Sequence, residues 1–157
     1  MIKANSTRHL AHLNVARLLA PLDDPMIKDF KDGVDYINGL AENAPGFIWR
    51  LKEEPIMPDG SSYVFMGDPE MIFTLSVWNS LESLKSFTYQ GAHAAYFKRK
   101  KEWFHKMVEA NYVLWWIPQG YQPTIAEAIS RLKFLRAKGE SDKAFTFKSA
   151  SILSENK

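Results

Sequence analysis

Residues 9–18, HLAHLNVARL, alternate in type: Ala11, Leu13 and Val15 fall on one side of an extended chain, and His12, Asn14 and Ala16 on the other. A period of two predicts a strand. The period then changes. Asp24 is a good N-cap, and Pro25 suits the first helical position, where its missing N–H would be unpaired anyway. Beyond them Met26, Phe30, Val34, Ile37, Leu40, Ala41 and Ala44 form a single helical stripe that Pro45-Gly46 ends. FIWRL (47–51) reads as a second strand. Residues 52–69 carry Pro55, Pro58 and Pro69 with the turn signals Asp59-Gly60 and Gly67-Asp68, which predicts a loop or irregular hairpin excursion.

The third strand is MIFTLSVW (71–78), with Phe73, Leu75 and Val77 facing one way and Thr74, Ser76 and Trp78 the other. Ser80 is placed to cap a helix carrying Leu81, Leu84 and Phe87, with Glu82 in its first turn. Gly91 breaks that helix, and a second helical piece is expected over about 92–108. YVLWWIP (112–118) is the fourth strand. Thr124 and Glu127 have capping-box spacing ahead of Ile125, Ala128, Ile129, Leu132 and Leu135, and Gly139 ends that helix. AFTF (144–147) reads as a short edge strand, and the closing SENK as a frayed end.

The order strand, helix, strand, strand, helix, strand, then an added C-terminal helix predicts an α+β fold. Its core is the ferredoxin-like β-α-β-β-α-β pattern, with both helices on one face of an antiparallel sheet. If Ala11, Leu13, Val15, Phe73, Leu75 and Val77 face those helices, then His12, Asn14, Thr74, Ser76 and Trp78 line the other face. That face needs cover from a partner subunit or a ligand. One parity of each remaining strand joins it: Phe47, Trp49 and Leu51 or Ile48 and Arg50, and Tyr112, Leu114 and Trp116 or Val113, Trp115 and Ile117. Both parities are apolar enough for a core, so the pattern leaves this choice open.

Composition narrows the function classes. A chain of 157 residues is expected to form one domain, placed at 8–148 with a tail at 149–157. Its 46% hydrophobic and 13% aromatic content suits a packed core. Net charge is +2, from 20 basic and 18 acidic side chains, too balanced to imply nucleic acid or an anionic membrane surface as partner. The absence of cysteine excludes disulfides, thiolate metal sites and cysteine nucleophiles. No run approaches a membrane span or a signal segment, so a cytoplasmic location is expected. HExxH, Walker, GxGxxG and GxSxG motifs are all missing.

The stretches LNVARLLAPLDDP, APGFIWRL, LSVWNSLESLKSFTY, HAAYFKRKKEWF and LWWIPQGYQPTIAEAISRLKFL, spanning about residues 9–148, resemble an uncharacterised family of the dimeric α+β-barrel superfamily. That superfamily includes antibiotic-biosynthesis monooxygenases, chlorite dismutase-like haem proteins and stress-responsive barrel proteins. The resemblance implies a ferredoxin-like fold and a homodimer whose two sheets face each other as a barrel. It brings no established catalytic residues.

The candidate site residues come from the alternation and from one helix. His12, Asn14, Ser76 and Trp78 offer an imidazole, an amide, a hydroxyl and an indole on one sheet face, the mixture of a small-molecule pocket. From His93, the stripe Tyr96, Phe97, Lys100, Trp103, Phe104 and Met107 reads mainly as core. Of the basic run, Arg99 is the candidate for a specific anion or ion pair, because its planar fork suits a carboxylate. His93 has three readings: a structural residue at a helix start, a general acid/base, or a haem ligand like the proximal histidine elsewhere in the superfamily. Some superfamily members oxygenate aromatic substrates without a metal, using Trp, Asn and His. In that reading Asn14 orients a substrate oxygen, Trp78 stacks and His93 carries a proton, with His12, Ser76, Arg99 and Trp103 around the ligand. No metal or other cofactor is expected. A non-catalytic ligand-binding dimer and a haem protein are the alternatives. His9 and His12 would lie on opposite strand faces, which does not favour a shared metal.

Overall fold

The structure, a computed structural model, describes residues 8–150. Its strands are β1 (Arg8–Arg17), β2 (Phe47–Arg50), β3 (Met71–Trp78) and β4 (Tyr112–Pro118), and its helices are α1 (Lys28–Glu42), α2 (Leu81–Tyr89), α3 (Gly91–Lys98) and α4 (Ile125–Lys138). The sheet order is β2-β3-β1-β4 with every neighbour antiparallel. With α2 and α3 taken as one broken helix, this is the ferredoxin-like topology with an added C-terminal helix. The starts follow the expected chemistry. Asp24 accepts from Met26 N at 2.8 Å, Ser80 Oγ from Ser83 N at 3.1 Å, and Thr124 Oγ1 from Glu127 N at 3.1 Å. The first turn after Asp24 is 3-10 over Pro25–Ile27, and the α-helix proper begins at Lys28.

The faces of the sheet are covered in a different way from the one expected. Ala11, Leu13, Val15, Leu75, Val77, Val113, Trp115 and Ile117 lie under α4 (Ala128, Leu132, Leu135) and under Phe65 from the 52–69 excursion. The His12 face is the one that meets the other helices: Leu10, Trp78 and Leu114 pack with Ala41 of α1, Leu84 of α2, and Phe145 and Ala150. Both faces are therefore covered within one chain among the described residues. The reason is the added helix, whose buried positions 128, 132 and 135 recur at helical spacing and need apolar surface of their own. The more uniformly apolar sheet face supplies it.

Neither parity of 47–51 runs through the strand. Phe47 is opposite Trp78 but Trp49 is opposite Val77, a register shift that sends Phe47 to the α1/α2 side and Trp49 and Leu51 to the α4 side. In β4, Leu114, with Tyr112 and Trp116 packed nearby, belongs to the His12 face, and Val113, Trp115 and Ile117 to the other. Gly46 makes the α1-to-β2 turn at φ +85°, where an added Cβ would lie 2.1 Å from Ser83 Oγ; only glycine fits.

The helix expected over 92–108 is shorter than that. It stops at Lys98 and tightens to a 3-10 turn over Lys100–Glu102. Main-chain bonds from Leu19 N to Trp103 O (2.8 Å) and from His105 N to Arg17 O (2.9 Å) then pin the chain to the end of β1. Trp103 consequently joins a small cluster with Leu18 and Ile27, while Met107 packs on the α4 side. AFTF makes one bridge rather than a strand: Phe145 and Leu114 exchange backbone bonds of 2.7 and 3.0 Å along the outer edge of β4. Ala150 is buried, and the SENK end lies outside the described residues.

Candidate functional site: two histidines beneath the broken helix

β1 is a central strand, so the residues it turns towards α1–α3 sit in rows fixed by register. Leu10 lies between Trp78 and Trp116, His12 between Ser76 and Leu114, and Asn14 between Thr74 and Tyr112. The α2–α3 pair closes over these rows. Phe87 of α2 lies 5.4 Å from Trp78 between ring centroids, and His93 of α3 lies 5.2 Å from Phe87. Tyr112 meets His12 edge-on at 6.0 Å. The start of α3 thus overhangs the face that bears His12 and Asn14.

His93 Nδ1 lies 2.9 Å from the Thr88 carbonyl. A carbonyl only accepts, so Nδ1 carries the proton and Nε2 presents a lone pair. Burial lowers the His93 pKa, and the Thr88 bond partly offsets this. His12 is pushed down to about 4, first by burial and then by repulsion from a charged His93. Both rings are therefore neutral at pH 7. Apart from the neighbouring histidine, no charged side chain contributes to either shift. Neither the His12 ring nor the Asn14 amide, both half-buried, has a hydrogen-bond partner among the described residues, where the one fully buried side-chain polar atom left unpaired is Trp116 Nε1.

The structure brings five of the seven candidate residues to one face: His12, Asn14, Ser76, Trp78 and His93. Trp78 has a different setting from the one expected. It is 1% exposed, its Nε1 donates to Ser76 Oγ at 3.0 Å, and its ring meets Phe47 edge-on at 5.4 Å, so it forms a wall rather than an open stacking platform. Arg99 and Trp103 are elsewhere. Arg99 grips both oxygens of Glu102 at 2.8 Å and Asp29 at 2.8 Å, and lies over the Trp103 ring, tying the 3-10 turn to α1. Its fork binds carboxylates of its own chain. Tyr112, Phe87 and the Thr88 carbonyl were missed by sequence reasoning. Tyr112 was hidden by the open parity of β4, Phe87 looked like ordinary stripe, and no side-chain pattern marks a carbonyl.

Two further features delimit the site. No group of three or more metal-ligating side chains occurs among the described residues. An open groove of about 590 Å³ runs along the edge strand β2, lined by 47–53 and Gln122, on the far side of β3 from His12. No helix among the described residues is long and apolar enough to cross a membrane.

This is an α+β protein with a ferredoxin-like sheet and a half-buried, uncharged polar patch on the face that meets α1–α3. It belongs to the family described as a domain of unknown function, DUF3291, whose model matches residues 9–157. A search of curated proteins finds no match. Among solved structures, a conserved protein from Methanosarcina mazei Go1 is similar at 12% identity and TM-score 0.50, covering 73% of this chain and 95% of its own. A candidate antibiotic biosynthesis monooxygenase from Nitrosomonas europaea aligns at 8% identity and TM-score 0.48, over 76% and 97%. One from Chloroflexus aurantiacus J-10-fl aligns at 16% and 0.44, over 74% and 98%. The first likeness speaks for the fold, and none bears on activity.

Proposed function

We propose that this protein binds a small, uncharged aromatic molecule carrying a hydroxyl or carbonyl group between the His12–Asn14–Ser76 face and the α2–α3 pair. One observation carries the reading: the half-buried His12 imidazole has no hydrogen-bond partner among the described residues and stands in a largely apolar sheet face, near enough to His93 to feel its charge. The His12 ring nitrogens are open to a ligand oxygen or hydroxyl. The site lacks a counter-charge for a carboxylate or phosphate, and its walls are rings. Asn14 and His12 would fix the ligand oxygen, and His93 Nε2 would accept a proton from it.

In its enzymatic form the reading is monooxygenase-like. A ring CH2 activated by proton loss to His93 would become C=O, with dioxygen supplying that oxygen atom and its second atom leaving as water. In its non-catalytic form, the same ligands bind and no oxygen is consumed. Were haem the ligand, His93 would hold its iron through Nε2, which the Thr88 bond to Nδ1 leaves with its lone pair, and the haem would supply redox chemistry. A homodimer stays in the proposal by likeness of fold alone, because α4 already covers the sheet face that a partner subunit was expected to cover.

The test is calorimetric titration with 2-naphthol, 2-methoxynaphthalene and 2-naphthoate. The naphthol is expected to bind, the ether about tenfold more weakly for want of one donor, and the carboxylate not at all. His93→Ala and Asn14→Ala should each weaken the naphthol. Equal binding of all three, or of wild type and both variants, contradicts the reading. An oxygen electrode separates enzyme from binder, and a Soret band on adding haemin would favour the haem form.

A further inference from the structure

We propose that Tyr89 is the door of the His12–His93 site: ligand passes between the α2–α3 elbow and the segment 144–150, and the Tyr89 ring swings off Phe147 to admit it. This rests on the reading of the site given above.

The rings run outward from the half-buried His12 in an unbroken series. His12 meets Tyr112 at 6.0 Å, Tyr112 meets Phe147 at 5.6 Å, Phe147 meets Tyr89 at 5.7 Å, and Tyr89 meets Phe97 at 6.0 Å. Exposure is greater at its outer end. Tyr112 and Phe147 are half-buried, whereas Tyr89 is 47% and Phe97 41% exposed. The series leads from the imidazoles to water through side chains, which rotate, rather than through main chain, which does not.

The two sides of this opening differ in how firmly they are held. The segment side is fixed by the paired backbone bonds between Phe145 and Leu114, by Phe147 N donating to the Tyr112 hydroxyl at 3.0 Å, and by Thr146 N donating to Glu140 at 2.9 Å. On the elbow side α2 ends at Tyr89, Gln90 is extended, and α3 begins at Gly91 with φ +66° and no side-chain cap. A Cβ at Gly91 would meet nothing within 4 Å, so this glycine serves the backbone turn and not a close contact. One bond crosses the elbow, from His93 Nδ1 to Thr88 O. A hinge motion of the helices would break it and release the His93 tautomer. Rotation of the Tyr89 ring leaves it intact, which is why the ring, rather than the helix pair, is assigned as the moving part.

Stopped-flow fluorescence with 2-naphthol on the full chain tests this. Tyr89→Ala is expected to raise the association and dissociation rates together by about tenfold, leaving Kd within about twofold, and Tyr89→Trp to lower both. Unchanged rates in both variants overturn the door. So does a change in Kd carried by dissociation alone, which would make Tyr89 a ligand contact. If wild type binds and His93→Ala does not, while Tyr89 variants match wild type, only the door fails. If wild type binds none of the naphthalene probes, the site reading fails with it.

Discussion

Replacing Trp115 by alanine is expected to lower the unfolding free energy by about 3–5 kcal/mol, read as a lower urea midpoint at unchanged slope. Trp115 is fully buried in the centre of the β4 face under α4. Its Nε1 donates to Glu127 Oε2 at 2.8 Å, and the Tyr121 hydroxyl donates to the other carboxylate oxygen. Truncation therefore opens a cavity between sheet and helix and removes one of the two side-chain partners of a half-buried carboxylate near the α4 start. A domain of this size has about 5–15 kcal/mol in total, so the variant would be close to unfolding at 37 °C. Trp115→Phe keeps most of the volume and should cost about 1–2 kcal/mol, mainly the lost indole bond. A loss below about 1 kcal/mol for the alanine variant would mean that α4 does not pack on this face.

Acid should weaken the fold well before its carboxylates protonate, and His12 should be the cause. Its pKa is near 6.5 in the unfolded chain and about 4 in the native one. Between those values the unfolded chain holds a proton that the native chain refuses. Stability is thus complete above 6.5 and falls as pH drops towards 4, by about 2 kcal/mol at pH 5 and about 3 kcal/mol in all. His93 shifts the same way and adds to the loss. Asp29, Glu42 and Glu102 are held below their usual range chiefly by hydrogen bonds from arginine, so their contributions are lost at lower pH. Urea titrations at pH 7.5 and 5 should show the difference in wild type and little of it in His12→Leu. Equal losses in both proteins would place the acid sensitivity elsewhere.

Local structure was legible in the sequence wherever one residue type has one job. Asp24, Ser80 and Thr124 cap as their hydroxyl or carboxylate oxygens require, β3 runs from 71 to 78 as its alternation demands, and Gly91 does break the helix. Topology followed from the order of these elements. What alternation does not encode is which face meets which helix. Ala11 and Leu13 look equally suited to α1 or α4, and the preference is set by how much apolar surface α4 has to bury. YVLWWI is apolar on both sides, so no pattern separates Tyr112 from Val113. The bulge after Phe47 depends on main-chain register rather than on side-chain type. Arg99 was readable as a carboxylate-binding fork, but its carboxylates, Asp29 and Glu102, belong to the chain itself. His12 and His93 stand 81 positions apart, and only the fold brings them under the same helix pair.

Their shared site is the central claim, and long-range proton–nitrogen NMR of the histidine rings tests it most directly. The account predicts that His12 remains neutral down to about pH 4–5, that His93 carries its proton on Nδ1, and that adding 2-naphthol shifts both rings while leaving those of His9 and His105 in place. A His12 ring that titrates near 6.5, or that ignores the ligand while His93 responds, would contradict it.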